Sequence, residues 1–362
     1  MKFLIVPDKF KGGMTAETFC AVAKKALDGK AEARAFPACD GGEGTVENLT
    51  SLAEGRIVGD KVSDGNFFVR VATYGVHGDT AYISVSNSSG LQKTMIKDPE
   101  YTTTYGFGEQ IAHAMKLGGK NFILALGGSS SNDGGAGAAC ALGAKFFNGG
   151  GEEFIPSGGT LKDIASVDIS GLRKNVAGAH FTALCDVKNP LLGADGCSRS
   201  YAPQKGAGNE AVIRLEENMR AYAEKTSFLG VEPSEMKTGA AGGLGYFVKA
   251  FLCGELVSGA DFFLDTVGFE KEAADADFVV TGEGCFDGTS GEGKICGEVI
   301  ERAKKLGKKV VVFCGESRVP ETDGVKIVEL NDKKVSLAEN VAATEEKFFT
   351  AFGNFVGEAI NG

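Results

Sequence analysis

At 362 residues the chain exceeds the roughly 250–300 at which a single core usually stops growing, so two domains are expected, with a cleft between them as the natural place for a small ligand. A net charge of −10 argues against a nucleic-acid or anionic-membrane partner, and nine cysteines, an odd number with no CxxC pair, point to reduced thiols in a cytoplasmic protein rather than a disulfide framework or zinc ribbon. The 53 glycines cluster with Ser, Asn and Asp instead of repeating at a period, which excludes collagen and linkers and leaves loops built from backbone.

The amino terminus, MKFLIVPDKF, holds an apolar run only from Phe3 to Val6, too short for a signal peptide, and no later stretch reaches the roughly 18 apolar residues of a membrane helix. KFLIVPD reads instead as a buried strand, followed by a helix over 16–27 with Thr15 as its N-cap. A short strand over 33–38 ends at CDGGEGT, and a helix over about 46–53 completes a βαβα opening, the usual start of a parallel sheet. From about Lys61 the pattern turns to short alternating strands, FFVRVATY and TAYISVS, joined as an antiparallel pair by GVHGD. A helix near 106–116, the strand NFILALGG, the loop SSSNDGGAG and a helix through Leu142 follow. Then come the strand HFTALCDV, the loop NPLLGADG, a helix over 211–226 and a Gly-rich turn opening a helix in GAAGGLGYFVKAFLCG. Simple alternation returns at the far end. The strands DFVVTGEG, ending near Thr281, KKVVVFCGE and VKIVEL are separated by a helix over 293–306 and closed by one over 337–359. Three strands here and two at the start make one five-stranded doubly wound sheet, so the expected division is a discontinuous domain, 1–60 with 258–362, and an α/β domain over 61–257 inserted into it.

Open α/β sheets bind ligands at the carboxyl ends of their strands, and several of these junctions set an acid among glycines. Asp8, Lys9 and Lys11 stand in PDKFKGG, Asp40 and Glu43 in ACDGGEGT, Asn132 and Asp133 in LGGSSSNDGGAG, Asp186 and Asn189 in CDVKNP, and Glu283 and Asp287 in TGEGCFD. One such residue is ordinary helix-cap or turn chemistry; five on the same side of α/β units are harder to explain that way. The loop Gly127–Gly137 is the best phosphate cradle, with Gly239–Gly245 a second of the same kind whose glycines could equally serve close helix packing. The stretch GEGCFDGTSGEGK imitates a Walker A loop poorly: six residues separate its strand from Gly288, and Ile295 cannot supply the magnesium hydroxyl, although Lys294 at a helix start can still meet a phosphate. Only three histidines occur, none in a Gly-rich junction, so a base should be an aspartate, as in phosphoryl transfer to an alcohol.

In order along the chain, PDKFKGGMTA, CDGGEGT, TTYGFGEQI, LGGSSSNDGGAG, CDVKNPLLGADG, PQKGAG, GAAGGLG and TGEGCFDGTSGEGK resemble the motifs of the bacterial glycerate kinases of the first family. The resemblance implies transfer of the ATP γ-phosphate to a hydroxyl of D-glycerate with Mg2+, usually giving 2-phosphoglycerate and less often 3-phosphoglycerate, in a flavodoxin-like domain carrying an inserted α/β domain. It places Lys11 against the glycerate carboxylate or the transferring phosphate, with Asp8, Asp40 and Lys294 in the substrate pocket. Asp186 is the first choice of general base and Asp287 the second. Gly128, Ser129, Ser130, Ser131 and Asn132, with Gly239, Gly242 and Gly243, are the implied phosphate cradle, and Asp133 or Glu283 would hold Mg2+ through water. Two departures stand out: GTS replaces the family's SQT after Asp287, and Cys296 stands where proline is common. A kinase for another small hydroxy acid and a non-catalytic nucleotide or metabolite sensor are the alternative readings.

Overall fold

The computed structural model describes residues 1–10, 12–288, 294–321 and 324–361; Lys11 and the 289–293 part of the Gly-rich loop lie outside the described residues. The chain divides into two compact units, one made of residues 1–40 and 260–362 and the other of residues 41–259. The division falls at Asp40, earlier than the expected boundary at 60, because the helix Thr45–Leu52 packs on the strands Val69–His77 and Thr80–Ser84 of the second unit. No helix among the described residues is long and apolar enough to cross a membrane.

In the first unit five strands pair in the order Val325–Glu329, Lys309–Ser317, Phe278–Phe286, Lys2–Ile5, Glu32–Ala35, every pair parallel. Numbered along the chain this is the flavodoxin order 2-1-3-4-5. The three inner strands, Lys2–Ile5, Phe278–Phe286 and Lys309–Ser317, are apolar on both sides because both faces are covered, whereas the edge strands Glu32–Ala35 and Val325–Glu329 carry charged, exposed side chains. Phe3, Ile5, Val280, Val311 and Phe313 face the helices Ala16–Leu27 and Thr344–Asn361, where Phe19, Phe348, Phe352 and Phe355 complete an aromatic core. Burying each such side chain contributes about 2–3 kcal/mol. Leu4, Val279, Val310 and Val312 alternate to the other side, and the helix Ile295–Lys305 packs on the two central strands. Thr15 caps its helix as expected, accepting from the Thr18 N–H at 3.1 Å. The closing helix is broken at Ala343 into Leu337–Ala342, begun by a Ser336–Glu339 capping box, and Thr344–Asn361.

The second unit is built on six strands in the order Glu255–Val257, His180–Leu184, Asn121–Ala125, Thr80–Ser84, Val69–His77, Arg56–Ser63. The first four are parallel and the last two add an antiparallel meander. TAYISVS stops as a strand at Ser84, whose hydroxyl accepts from the Ser86 N–H and turns the chain into the one-turn helix Val85–Ser88. A small antiparallel sheet of Lys145–Phe147, Glu153–Phe154 and Ser166–Asp168 completes the unit.

Candidate functional site

In the first unit the order of strands reverses between Lys2–Ile5 and Phe278–Phe286, and this switch point is where an open α/β sheet offers a crevice beyond its carboxyl ends. The chain leaving Lys2–Ile5 stays on the sheet edge, with the Val6 and Asp8 N–H groups donating to Val280 O and Gly282 O, both at 2.8 Å. That holds Asp8 at the crevice. Burial, and then the neighbouring Asp40 carboxylate, push the Asp8 pKa up to about 6, against the pull of the Lys9 N–H, the Lys9 ammonium and Lys294. Lys294 is the N-cap of the 11-residue helix Ile295–Lys305, and its charge acts on Asp8. Asp8, Asp40 and Lys294, foreseen as one group, are brought together.

Glu283 joins them by a route that the sequence reading did not foresee. The strand expected to end near Thr281 runs on to Phe286, pairing Glu283 with Cys314 and Phe286 with Ser317. Glycine permits this: a Cβ at Gly282 would stand 2.4 Å from Phe313 O, so the residue that looks like loop punctuation is there for close approach within the sheet. Glu283 is thus a buried strand residue whose charge, with that of Asp8, bears on the Cys296 thiol. Cys296 is itself fully buried; burial first, then these two acids, drive its pKa well above the ordinary value, which makes it an inert packing residue and no nucleophile. Asp287, one residue beyond the strand, is half-buried near Cys285 and Arg318.

In the second unit the carboxyl ends of the four parallel strands form a row: Ser84, the Gly127–Gly128 turn, Asp186, and Ser258 with Gly259. The 41–44 loop is tied to this row, since the Gly127 N–H donates to Gly41 O at 2.9 Å. Asp186 Oδ1 accepts from Ser258 Oγ at 3.0 Å and from the Gly259 N–H at 2.8 Å, which fixes the plane of the carboxylate.

The serine loop behaves differently from an open cradle. Ser129, Ser130, Ser131 and Asn132 are all buried, and their polar atoms are largely turned into the protein. Ser129 Oγ donates to Ala241 O, Ser130 Oγ to Ser89 O, and Asn132 Nδ2 to Ser198 Oγ. Gly242 and Gly243, both at left-handed φ, let the second glycine loop press against the first. A Cβ on Gly242 would meet Ser131 O at 2.2 Å, and the Gly134 N–H donates to Gly242 O at 3.0 Å. Gly239 has the same function against Pro190 O, at 2.1 Å. Close packing, one of the two readings open for this glycine run, is what these contacts describe; Gly128, of the expected cradle, also lines an open cavity.

Asp133, expected as a magnesium ligand, has no exposed surface. Its carboxylate accepts from the Thr104 N–H and Oγ1, both at 2.8 Å, from the Gly135 and Gly137 N–H groups, and at 3.5 Å from Thr103 Oγ1. It therefore clamps the turn into the helix Ala136–Ala141 to the threonine run before Tyr105 and has no face for a hydrated ion. Burial pushes its pKa up against those donors.

Lys205 is the residue that the sequence reading passed over. It lies in PQKGAG and is 2% exposed, and its ammonium donates to Ser129 Oγ at 2.9 Å and Ser131 O at 2.5 Å beneath both glycine loops. Burial lowers its pKa to about 8, with Cys197 and Asp133 pulling the other way. The only sequence signal was a lysine between a proline turn and Gly206.

The model of the glycerate kinase family matches residues 3–357. The chain belongs to the glycerate kinase family. It is thereby a phosphotransferase. It is similar to a glycerate kinase of Bacillus cereus, 38% identical over 360 residues that cover 96% of this chain and 94% of that one. The glycerate 2-kinase of Escherichia coli is 35% identical over 373 residues, covering 98% and 95%. A solved crystal structure from Salmonella typhimurium LT2, described as a candidate glycerate kinase 2, superposes with a TM-score of 0.86 at 33% identity, covering 100% of this chain and 98% of the other.

Proposed function

We propose that the protein transfers the γ-phosphoryl group of ATP to a hydroxyl of D-glycerate, giving 2-phosphoglycerate in preference to 3-phosphoglycerate. The observation that carries this reading is the family match over nearly the whole chain, and the name of the Escherichia coli relative supports the 2-hydroxyl. The site chemistry agrees with it. Transfer to an alcohol needs a carboxylate to take the hydroxyl proton and cations around the phosphoryl oxygens, with little covalent work for the protein. Asp186, held in one orientation by Ser258 and Gly259, is the proposed base, with Asp287 the alternative. Lys294 supplies positive charge beside Asp8 and Asp40, and Lys11 is proposed to act with it.

Magnesium usually binds through one or two carboxylates together with substrate phosphates and keeps several waters. The Asp8–Asp40 pair fits that demand: one of two like charges in half-dry surroundings is held up to about 6, and a divalent cation would relieve the repulsion. These two residues, with Glu283 behind them, would hold it, and when bound it would neutralise charge on the phosphates. Asp186 takes the proton, and Lys294 orients charge near the acids.

Phosphorus NMR of the product from ATP and D-glycerate tests activity and position together. No turnover of D-glycerate above the ATPase background overturns the proposal, and faster turnover of L-glycerate, glycolate or tartronate assigns another hydroxy acid. For the base, Asp186→Asn should lower kcat by about 10²-fold or more with KM for ATP little changed; an unchanged kcat moves the role to Asp287.

A further inference from the structure

The second unit holds a cavity whose lining, Gly128 apart, has no role in the transfer proposed above. It has a volume of ≈ 300 Å³ and lies at the carboxyl ends of Thr80–Ser84 and Asn121–Ala125, closed by the 43–47 segment that opens the helix Thr45–Leu52. That is the low end of the range for small-molecule sites, and it suits a three-carbon acid. The chemistry of its wall is specific. Lys93 brings one ammonium, Glu43 and Glu47 bring two carboxylates, and Ser84 and Ser86 bring hydroxyls that hydrogen-bond to each other at 2.8 Å.

The ammonium is aimed by its neighbours. Asn87 Nδ2 donates to Thr73 O at 3.0 Å, which turns Asn87 Oδ1 toward Lys93, and Lys93 Nζ donates to that oxygen at 2.9 Å. An ammonium has three donors, so Asn87 fixes the head while leaving donor capacity for a ligand. Arg70 adds a second positive charge close enough to act on Lys93, balanced by Glu43 and Glu47. Gly44, at φ 87°, and Gly128, at φ 80°, bring backbone to the wall without a side chain to fill it.

We infer that this cavity is the hydroxy-acid subsite, where Lys93 pairs with the substrate carboxylate while Ser86, Glu43 and Glu47 meet its hydroxyls. A hydroxy-carboxylate is the complement of this wall. Its carboxylate only accepts and needs the cation; its hydroxyls donate and need the acids, which a ligand of phosphates alone would leave without a donor. The inference rests on the reading of the protein as a glycerate kinase, and it makes Lys93 a substrate-binding residue that determines specificity for an acid over its neutral analogue.

The test compares the wild-type protein with Lys93→Met and Lys93→Arg. Lys93 is exposed on the cavity wall, so neither variant threatens the fold. D-glycerate and D-glyceramide are titrated calorimetrically without nucleotide, and steady-state kinetics are run varying each substrate. Loss of one charge-assisted contact should weaken D-glycerate about tenfold or more in both Kd and KM in Lys93→Met, with less loss in Lys93→Arg. KM for ATP should stay within about twofold, and the preference for the acid over the amide should disappear. Unchanged D-glycerate binding in Lys93→Met overturns the inference, and a rise in KM for ATP alone reassigns the cavity to the nucleotide. If the wild-type protein does not turn over D-glycerate yet binds glycolate or tartronate in a Lys93-dependent way, the function proposed above fails and the subsite stands.

Discussion

Replacing Lys205 by Met should remove the rise in stability that release of its proton gives the 41–259 unit at alkaline pH. Lys205 is buried, meets no carboxylate in hydrogen-bond range among the described residues, and holds only a serine hydroxyl and a peptide carbonyl. Its pKa falls from 10.5 in the free side chain to about 8. Below pH 8 the lysine is protonated folded and unfolded, and the folded state carries the full cost of the buried charge. Between 8 and 10.5 the unfolded chain keeps the proton while the folded protein has released it, so stability rises with pH. At about 1.4 kcal/mol per unit, the increase between pH 7.5 and 9.5 is about 2 kcal/mol. The chain has no Trp, and its seven Tyr, at 74, 82, 101, 105, 201, 222 and 246, all lie in the 41–259 unit, so tyrosine fluorescence in a urea titration reports on that unit alone. Other lysines and the phenols titrate in both proteins and cancel in the difference. Wild-type stability minus that of Lys205→Met should therefore grow by about 2 kcal/mol over this range. A difference that stays flat, or falls with pH, would refute the reasoning, the second outcome meaning that the ammonium is stabilised in place.

Asp8→Asn should stabilise the protein at pH 7: folded Asp8 holds its proton up to about 6 and unfolded Asp8 only to about 3.8, so wild-type stability falls as pH rises between those values. The gain is about 2 kcal/mol after allowance for partial exposure, read as a higher Tm of the variant at pH 7 than of the wild type and no such difference at pH 3.5. Ala241 sits at φ 56°, ψ 31°, ahead of two left-handed glycines. Ala241→Gly should raise the unfolding free energy by about 0.5 kcal/mol or more, read as a higher urea midpoint at unchanged m, because a left-handed Ala costs about 1–2 kcal/mol and Gly returns part of that as entropy of the unfolded chain.

Legibility followed burial. The three inner strands of the first sheet are apolar runs between turn signals and stand out, as does Thr15, whose side chain has a local partner three residues on. Arg56–Ser63 was invisible as a strand because it is an edge: most of its side chains are exposed or half-exposed, so GRIVGDKVS carries no alternation to read. The early stop assigned to Phe278–Phe286 came from treating GEG as loop, when Gly282 is demanded by Phe313 O on the neighbouring strand, a contact between residues some thirty apart that local chemistry does not encode.

The site divides along the same line. Asp8, Asp40 and Lys294 were readable together because each follows or precedes a regular element, and topology alone carries such positions to the switch point. Asp133 has the same local signature and a different fate: the run at Thr103 and Thr104, some thirty residues earlier, consumes its oxygens. A Gly- and Ser-rich loop between a strand and a helix thus has two physical solutions, an anion cradle with outward N–H groups or a keystone with inward ones, and composition is the same for both. What separates them is the partner. Here Lys205 lies under the loop, donating to Ser129 and Ser131, and the buried cation is the mark of the keystone. Lys93 at the same row of strand ends has the opposite arrangement, its ammonium steadied by Asn87 on the wall of an open cavity.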